Sequence, residues 1–232
     1  MRALTELELR RLYTTRGISS YSVPSGTLVT PAALQFAKDN GIMLKMTDET
    51  FVSQRSADGE KTAKPEEVTH LTGDTMVSKT HPRILLRGKV DSLQAQLLGV
   101  IIESFAWGIK GLPADLEAVL KYLRELIKAE VTGMPLSDLV FRGWNMDEIR
   151  TRSHHPERYF GIGHLFPAPE HGIAVARLNL LRTLCRETEL AGVAAFTEGE
   201  AVVRKDLITG LNRLNSLFYV MMIMIISGKY VE

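Results

Sequence analysis

Leu86, Val90, Leu93, Leu97, Val100 and Ser104 recur in alternating steps of four and three. That spacing draws one stripe down one face of a helix and predicts a helix from about residue 83 to 107. A second helix begins near Pro113, carries Leu116, Val119, Leu120, Leu123, Leu126 and Ile127, and is ended by Gly133. A weaker segment around residues 146–152 breaks at "SHHPERYFG". A further helix is expected from about His171 to Ala195, and a last one carries Leu207, Leu211, Leu214, Phe218, Met221 and Ile225. Long amphipathic helices joined by loops, with little strand signal after residue 70, predict a mainly α protein built as a bundle of four to five helices.

Nearer the N-terminus the punctuation changes. In "LVTPAALQFAKDNGIMLKM", Thr30 is a candidate N-cap, Pro31 suits the first helical position and Gly41 falls just past the end. A short helix feeding a short strand is expected there. From Gln54 to Glu67, "QRSADGEKTAKPEE" lacks large apolar residues and reads as a mobile linker, because it has nothing to bury. The expected organisation is a small N-terminal α/β appendage over 1–53, a polar linker over 54–68 and the helical bundle over 69–232.

Composition narrows the partners. With 28 basic against 27 acidic residues, the chain has no general electrostatic reason to bind nucleic acid or an anionic membrane, so any anion site must be local. A single cysteine excludes an intrachain disulfide framework and a Cys-rich zinc site. The start "MRALTELELRRLY" lacks the apolar stretch of a secretory signal. The run from Leu217 to Ile226 is half the roughly 20 residues a membrane span needs, and is read as a buried helix of a cytosolic protein.

Against that background some polar groups occupy faces of their own. In "LNLLRTLCRETE", Arg182, Arg186 and Glu189 share a narrow stripe, while Leu180, Leu181 and Leu184 lie around the other side. The stripe is either a solvated face with an Arg186–Glu189 pair or an anion clamp, since guanidinium groups suit phosphate oxygens. Asp91 opposes the apolar seam of its helix and has two candidate partners: Arg87 one turn earlier, or an arginine of a neighbouring helix. Asn212 likewise falls outside the heptad stripe of the last helix. In "THLTGDTMVSKTHPR", small hydroxyl residues, Gly73 and Lys79 are of the kind that lines a phosphate, without matching the P-loop pattern. Among the histidines, His154 and His155 are adjacent and diverge, and neither His81 nor His164 has a partner at ligand spacing, so no metal site is read. Cys185 has no histidine nearby in its helix and reads as a core or interface thiol.

Five ordered blocks, "THLTGDTMVSKTHPR", "GKVDSL", "SHHPERYFG", "HGIAVARLNLLRTLCRETE" and "LNRLNSLFYVMMI", resemble the ATP:cob(I)alamin adenosyltransferases, specifically the ethanolamine-utilisation type. The resemblance runs from about Thr69 to Ile226 and extends more loosely into the appendage. The wider family, which includes the propanediol-utilisation type, has a helical bundle that binds ATP between neighbouring subunits of a trimer. The resemblance therefore implies a homo-oligomer with sites between subunits. It implies a triphosphate-binding segment containing Thr69, His70, Thr72, Gly73, Asp74 and Lys79, although "TGDTM" lacks the second glycine usual there. Asp91 matches an aspartate that pairs with an arginine, and Arg182 matches that arginine. Arg186 is similar to the arginine that contacts phosphate, Glu189 to the acidic residue of the same motif, and Asn212 to the nucleotide-binding asparagine of the last helix. Arg186, Asp91 and Arg182 are the implied catalytic set. Phe166, in "LFPAPEHG", aligns with an aromatic residue that packs below the corrin ring.

The implied reaction moves the 5′-deoxyadenosyl group of ATP to cob(I)alamin, releasing triphosphate and making adenosylcobalamin, in the service of ethanolamine ammonia-lyase. Enteric members of this type carry a His- and Cys-rich metal motif just before the "THLT" block, and this chain has neither residue type there. The expectation is that no structural zinc or iron is held and that Mg²⁺ arrives with ATP. An electron-donating reductase is an implied partner. The location implied is cytoplasmic, with a bacterial microcompartment as a further address that the residues leave open. The rival readings are a non-enzymatic helical oligomeric scaffold and another nucleotide-binding transferase; the first gives the four polar positions no common destination, and the second lacks a P-loop or kinase motif.

Overall fold

The structure is a computed structural model that describes residues 3–24, 27–47, 50–52, 65–73 and 75–230. Residue 53, residues 54–64 of the expected linker, and Asp74 lie outside the described residues. The chain divides into two compact units, Met1–His81 and Pro82–Glu232. The hairpin that follows the linker thus groups with the first unit, where the sequence pattern had assigned it to the bundle.

In the first unit β1 (Ala3–Leu4) leads into α1 (Glu6–Arg16), which Thr5 caps by accepting the Glu8 amide. β2 (Ser20–Pro24) and β3 (Leu28–Val29) precede α2 (Pro31–Asp39), and β4 (Met43–Thr47) follows it. β1 pairs with β3 and β2 with β4, both in parallel. The helix-then-strand expectation holds in detail: Thr30 Oγ1 accepts the Ala33 amide at 3.3 Å, Pro31 opens the helix, and Gly41 takes φ 64°, a left-handed value that favours glycine. Leu4, Leu9, Val23, Ala33, Phe36, Ala37 and Ile42 form a small core. β5 (Thr50–Val52), β6 (Val68–Thr72) and β7 (Thr75–Ser78) make an antiparallel sheet in the order β5-β7-β6.

The second unit is the bundle. α3 (Pro82–Ser104) and α4 (Leu112–Thr132) are followed by α5 (Met146–His154) and the single turn α6 (Pro156–Phe160). α7 (Gly172–Phe196) and α8 (Lys205–Ile226) are joined by a short hairpin of β8 (Thr197–Glu198) and β9 (Ala201–Val202). The stripe residues Leu86, Val90, Leu93, Leu97, Val100 and Ser104 are all buried, as are Leu207, Leu211, Leu214, Phe218 and Met221 of α8. By length and apolarity α8 is a helix that could span a membrane, but 67% of its apolar window is buried in this bundle, where it serves as the central helix. Gly192 allows its close packing on α7, since a Cβ there would meet Ile208 Cδ1 at 2.9 Å.

A buried charge ties three helix ends together. Glu130, at 0% exposure near the end of α4, accepts from Arg83 Nε and Arg87 Nε of α3, each at 2.6 Å. Arg83 Nη2 also donates to the Glu130 carbonyl, and Arg204, just before α8, donates to the Ala129 carbonyl at 3.2 Å. Removing one partner of such a buried set costs about 3–5 kcal/mol, because the remaining charge is left without compensation. Arg87 is therefore committed to α4, and the pairing with Asp91 one turn along is not made.

Candidate functional site

α7 and α8 carry the polar positions that the sequence singles out. Glu189 of α7 accepts Asn212 Nδ2 of α8 at 2.7 Å, and Asn212 Oδ1 accepts Arg213 Nη1 at 2.6 Å. The other carboxylate oxygen of Glu189, Oε2, is buried without a partner among the described residues. Leaving a buried acceptor unsatisfied costs about 1–3 kcal/mol, more for a charged group, so this oxygen is a ready acceptor for a ligand hydrogen. Arg213 is itself buried, and that burial together with the nearby Arg150 charge pulls its guanidinium below its ordinary value. Cys185 lies on the core side of α7, donates to the Leu211 carbonyl at 3.3 Å, and has its thiol pushed well up by burial and then by Glu189. It is a satisfied core thiol and no nucleophile.

Arg182 and Arg186 differ in setting. Arg182 is half-buried and donates to Asn179 Oδ1 of its own helix at 3.0 Å, whereas Arg186 is exposed and makes no ion pair among the described residues. Glu189 accepts its hydrogen bond from Asn212, and no Arg186–Glu189 pair is formed among the described residues.

Asp91 and Arg182 point to different sides of the bundle. Lys89–Glu187 at 2.8 Å and Arg177–Glu103 at 2.8 Å mark where α3 faces α7, and they show the two helices running antiparallel. Asp91 follows Lys89 by two residues, a turn of roughly 200°, which carries it away from α7 onto the exposed surface. Arg182 precedes Glu187 by five residues, roughly 140° round α7, which carries it away from α3 towards α5 and α8. The structure therefore does not bring these two residues together within one chain.

Arg182 instead lines a depression of about 310 Å³ with Ser153 and His154 of α5, His164, and Asn215, Ser216 and Tyr219 of α8. Asn215 is buried in this wall and its Oδ1 has no partner among the described residues. A neighbouring depression of about 470 Å³ shares His154 and His164 and adds His155, Pro156, Glu157, Arg158 and Gly163. Arg152, stacked on Trp144 at 4.2 Å and Tyr159 at 4.9 Å, holds the "SHHPERYFG" segment on α5 and α6. Phe166, two residues beyond His164, is 84% exposed.

The segment expected to bind triphosphate forms a tight hairpin in the first unit. Thr69 is opposite Val77 and Thr72 opposite Thr75, with a register shift between His70 and Thr72. Gly73 at the tip has φ 52°, and its carbonyl accepts His70 Nδ1 at 3.2 Å. The Lys79 amide donates to the Glu67 carbonyl, while its ammonium lies 3.9 Å from Glu66 in a solvated pair of little energetic weight. Among the described residues no group of three His, Cys, Asp or Glu is placed to hold a metal ion.

Reading the sequence missed Arg213, Asn215, Ser216, Tyr219 and the buried pairing of Glu130 with Arg83 and Arg87. A signal for the α8 residues was present. Asn212, Asn215, Ser216 and Tyr219 follow one another in helical steps on an otherwise apolar helix, and that polar stripe marks the wall of a site.

A sequence model of the cobalamin adenosyltransferase family matches residues 62–225. The corrinoid adenosyltransferase EutT of Salmonella typhimurium strain LT2 is 33% identical, over 95% of this chain and 91% of its own. The corrinoid adenosyltransferase EutT of Escherichia coli K12 is 31% identical, over 97% of this chain and 93% of its own. The matched region contains α3, α7 and nearly all of α8 with their polar stripes, and the chain belongs to the cobalamin adenosyltransferase family.

Proposed function

We propose that this protein transfers the 5′-deoxyadenosyl group of ATP to the cobalt of cob(I)alamin, with triphosphate as the coproduct, and that it serves ethanolamine utilisation, as the resemblance of its sequence blocks to that type implies. The observation that carries the reading is the joined pair Glu189–Asn212, with one carboxylate oxygen unclaimed, one turn beyond Arg186 on the same helix. Nucleoside hydroxyl or amino hydrogens suit the unclaimed oxygen, and triphosphate oxygens suit the exposed guanidinium.

The chemistry asks little of the protein by way of a nucleophile. The cobalt(I) lone pair attacks carbon 5′, a cobalt–carbon bond forms, and the carbon–oxygen bond breaks with its electrons leaving on triphosphate. Cobalt ends as cobalt(III). A buried, neutral thiol at Cys185 is consistent with this, because cobalt is the attacking atom. What the residues supply is position and positive charge for the leaving group, which gathers negative charge as the bond breaks. Arg186 is assigned that task. Mg²⁺ would enter on the triphosphate and neutralise part of its charge.

Asp91 and Arg182 are proposed to pair between neighbouring copies, each on an opposite side of its own bundle, which makes the protein a homo-oligomer with sites completed at subunit boundaries. Phe166 is proposed to pack against the corrinoid and exclude its lower axial ligand, easing reduction to cobalt(I) by an electron-donating reductase. Arg186→Ala tests the clamp: with no partner to lose, the variant should fold normally and lose roughly 10²-fold or more in kcat/KM. Wild-type kinetics would remove Arg186 from the site.

A further inference from the structure

Tyr219 is a phenol on the most deeply buried helix of the bundle, and its hydroxyl reaches a loop far away in the chain. Its oxygen accepts the Leu165 amide at 2.8 Å and lies 3.3 Å from Nδ1 of His164. The two rings stack with centroids 6.4 Å apart and 25° between planes. On the other side of Phe166 the loop has a second tie, from the Ala168 amide to His171 Nδ1 at 3.0 Å. Phe166 thus stands exposed between two pinned points, one local and one set by α8.

Hydrogen accounting explains why the hydroxyl matters. The phenol oxygen accepts the Leu165 amide and shares a second hydrogen bond with Nδ1 of His164, so one hydroxyl holds both the backbone and the ring of the loop. His164 in turn lies in the wall shared by both depressions. A phenylalanine at this position would keep the ring stack and lose both bonds. The helix beneath is an effective anchor, since Leu217, Phe218, Val220 and Met221 around Tyr219 are fully buried.

We infer that Tyr219 is a positioning residue: its hydroxyl fixes the backbone at Leu165 and the ring of His164, and through them the stance of the Phe166 ring towards the corrinoid. The inference rests on the adenosyltransferase reading of the site and on the assignment of Phe166.

The test is Tyr219→Phe in the full chain, read in two ways. Hydrogen exchange at the Leu165 amide should quicken at least about fivefold, as expected for a lost hydrogen bond in a loop. The yield of four-coordinate cob(II)alamin in the presence of ATP should fall, with the KM for ATP unchanged. Unchanged exchange at Leu165 would overturn the inference. Faster exchange with an unchanged four-coordinate yield, while Phe166→Ala lowers that yield, would also overturn it, because Phe166 would then act without the anchor. Faster exchange with neither variant altering the yield would support the anchor and overturn the role given to Phe166.

Discussion

Asn212 donates its amide hydrogen to Glu189 across 2.7 Å while its carbonyl oxygen accepts Arg213 at 2.6 Å, so one amide locks α8 to α7 in a fixed orientation. Asn212→Asp removes the donor and sets a second carboxylate against Glu189. Each hydrogen bond to a charged group contributes about 1.5–3 kcal/mol, so kcat/KM for ATP should fall roughly 10- to 100-fold. Steady-state kinetics with cobalamin held saturating make the comparison; an unaltered ATP dependence would take the pair out of the nucleotide site.

The outward placement of Asp91 and the opposite placement of Arg182 lead to a complementation experiment. Asp91→Ala and Arg182→Ala should each be poorly active alone. Co-assembled from mixed subunits, they should regain activity, because some boundaries then unite a native Asp91 with a native Arg182. Activity of the mixture equal to the average of its parents would contradict pairing between copies.

Asp206, at the start of α8, is held by Arg204 at 2.8 Å and accepts the Leu136 amide at 3.0 Å. The Arg204 hydrogen bond is the main cause that lowers its carboxyl from the ordinary 3.8 to about 2. A carboxyl depressed in the folded state contributes stability that is complete above pH 3.8 and fades as pH falls towards about 2. The stability difference between wild type and Asp206→Asn should therefore be constant near neutrality and shrink across that interval. Denaturant titrations at stepped pH read it directly, and a difference that stays constant down to pH 2 would refute the pairing.

Periodicity was enough to place the helices. α3, α4, α7 and α8 begin and end within a few residues of their expected limits because their apolar stripes are long and continuous. α1 escaped notice because Leu9 alone among its described side chains is fully buried, leaving too thin a stripe to read. Spacing along one helix showed that Arg182, Arg186 and Glu189 share a face, and could not show what each meets. Glu189 meets Asn212 from 23 positions away, and Arg87 is claimed by Glu130 from 43 positions away. Both bonds follow from how the helices pack, which no local pattern encodes. Tyr219 is the intermediate case: its place in a polar stripe is visible in the sequence, while its hold on the Gly161–Ala168 loop is visible only in three dimensions.

Mixing the protein anaerobically with ATP, Mg²⁺ and chemically reduced cobalamin tests the whole assignment at once. The proposed reaction predicts an absorbance change from cob(I)alamin to adenosylcobalamin, with one triphosphate released per cobalt alkylated. Release of ADP or phosphate in its place, or an unchanged cobalamin spectrum, would contradict it.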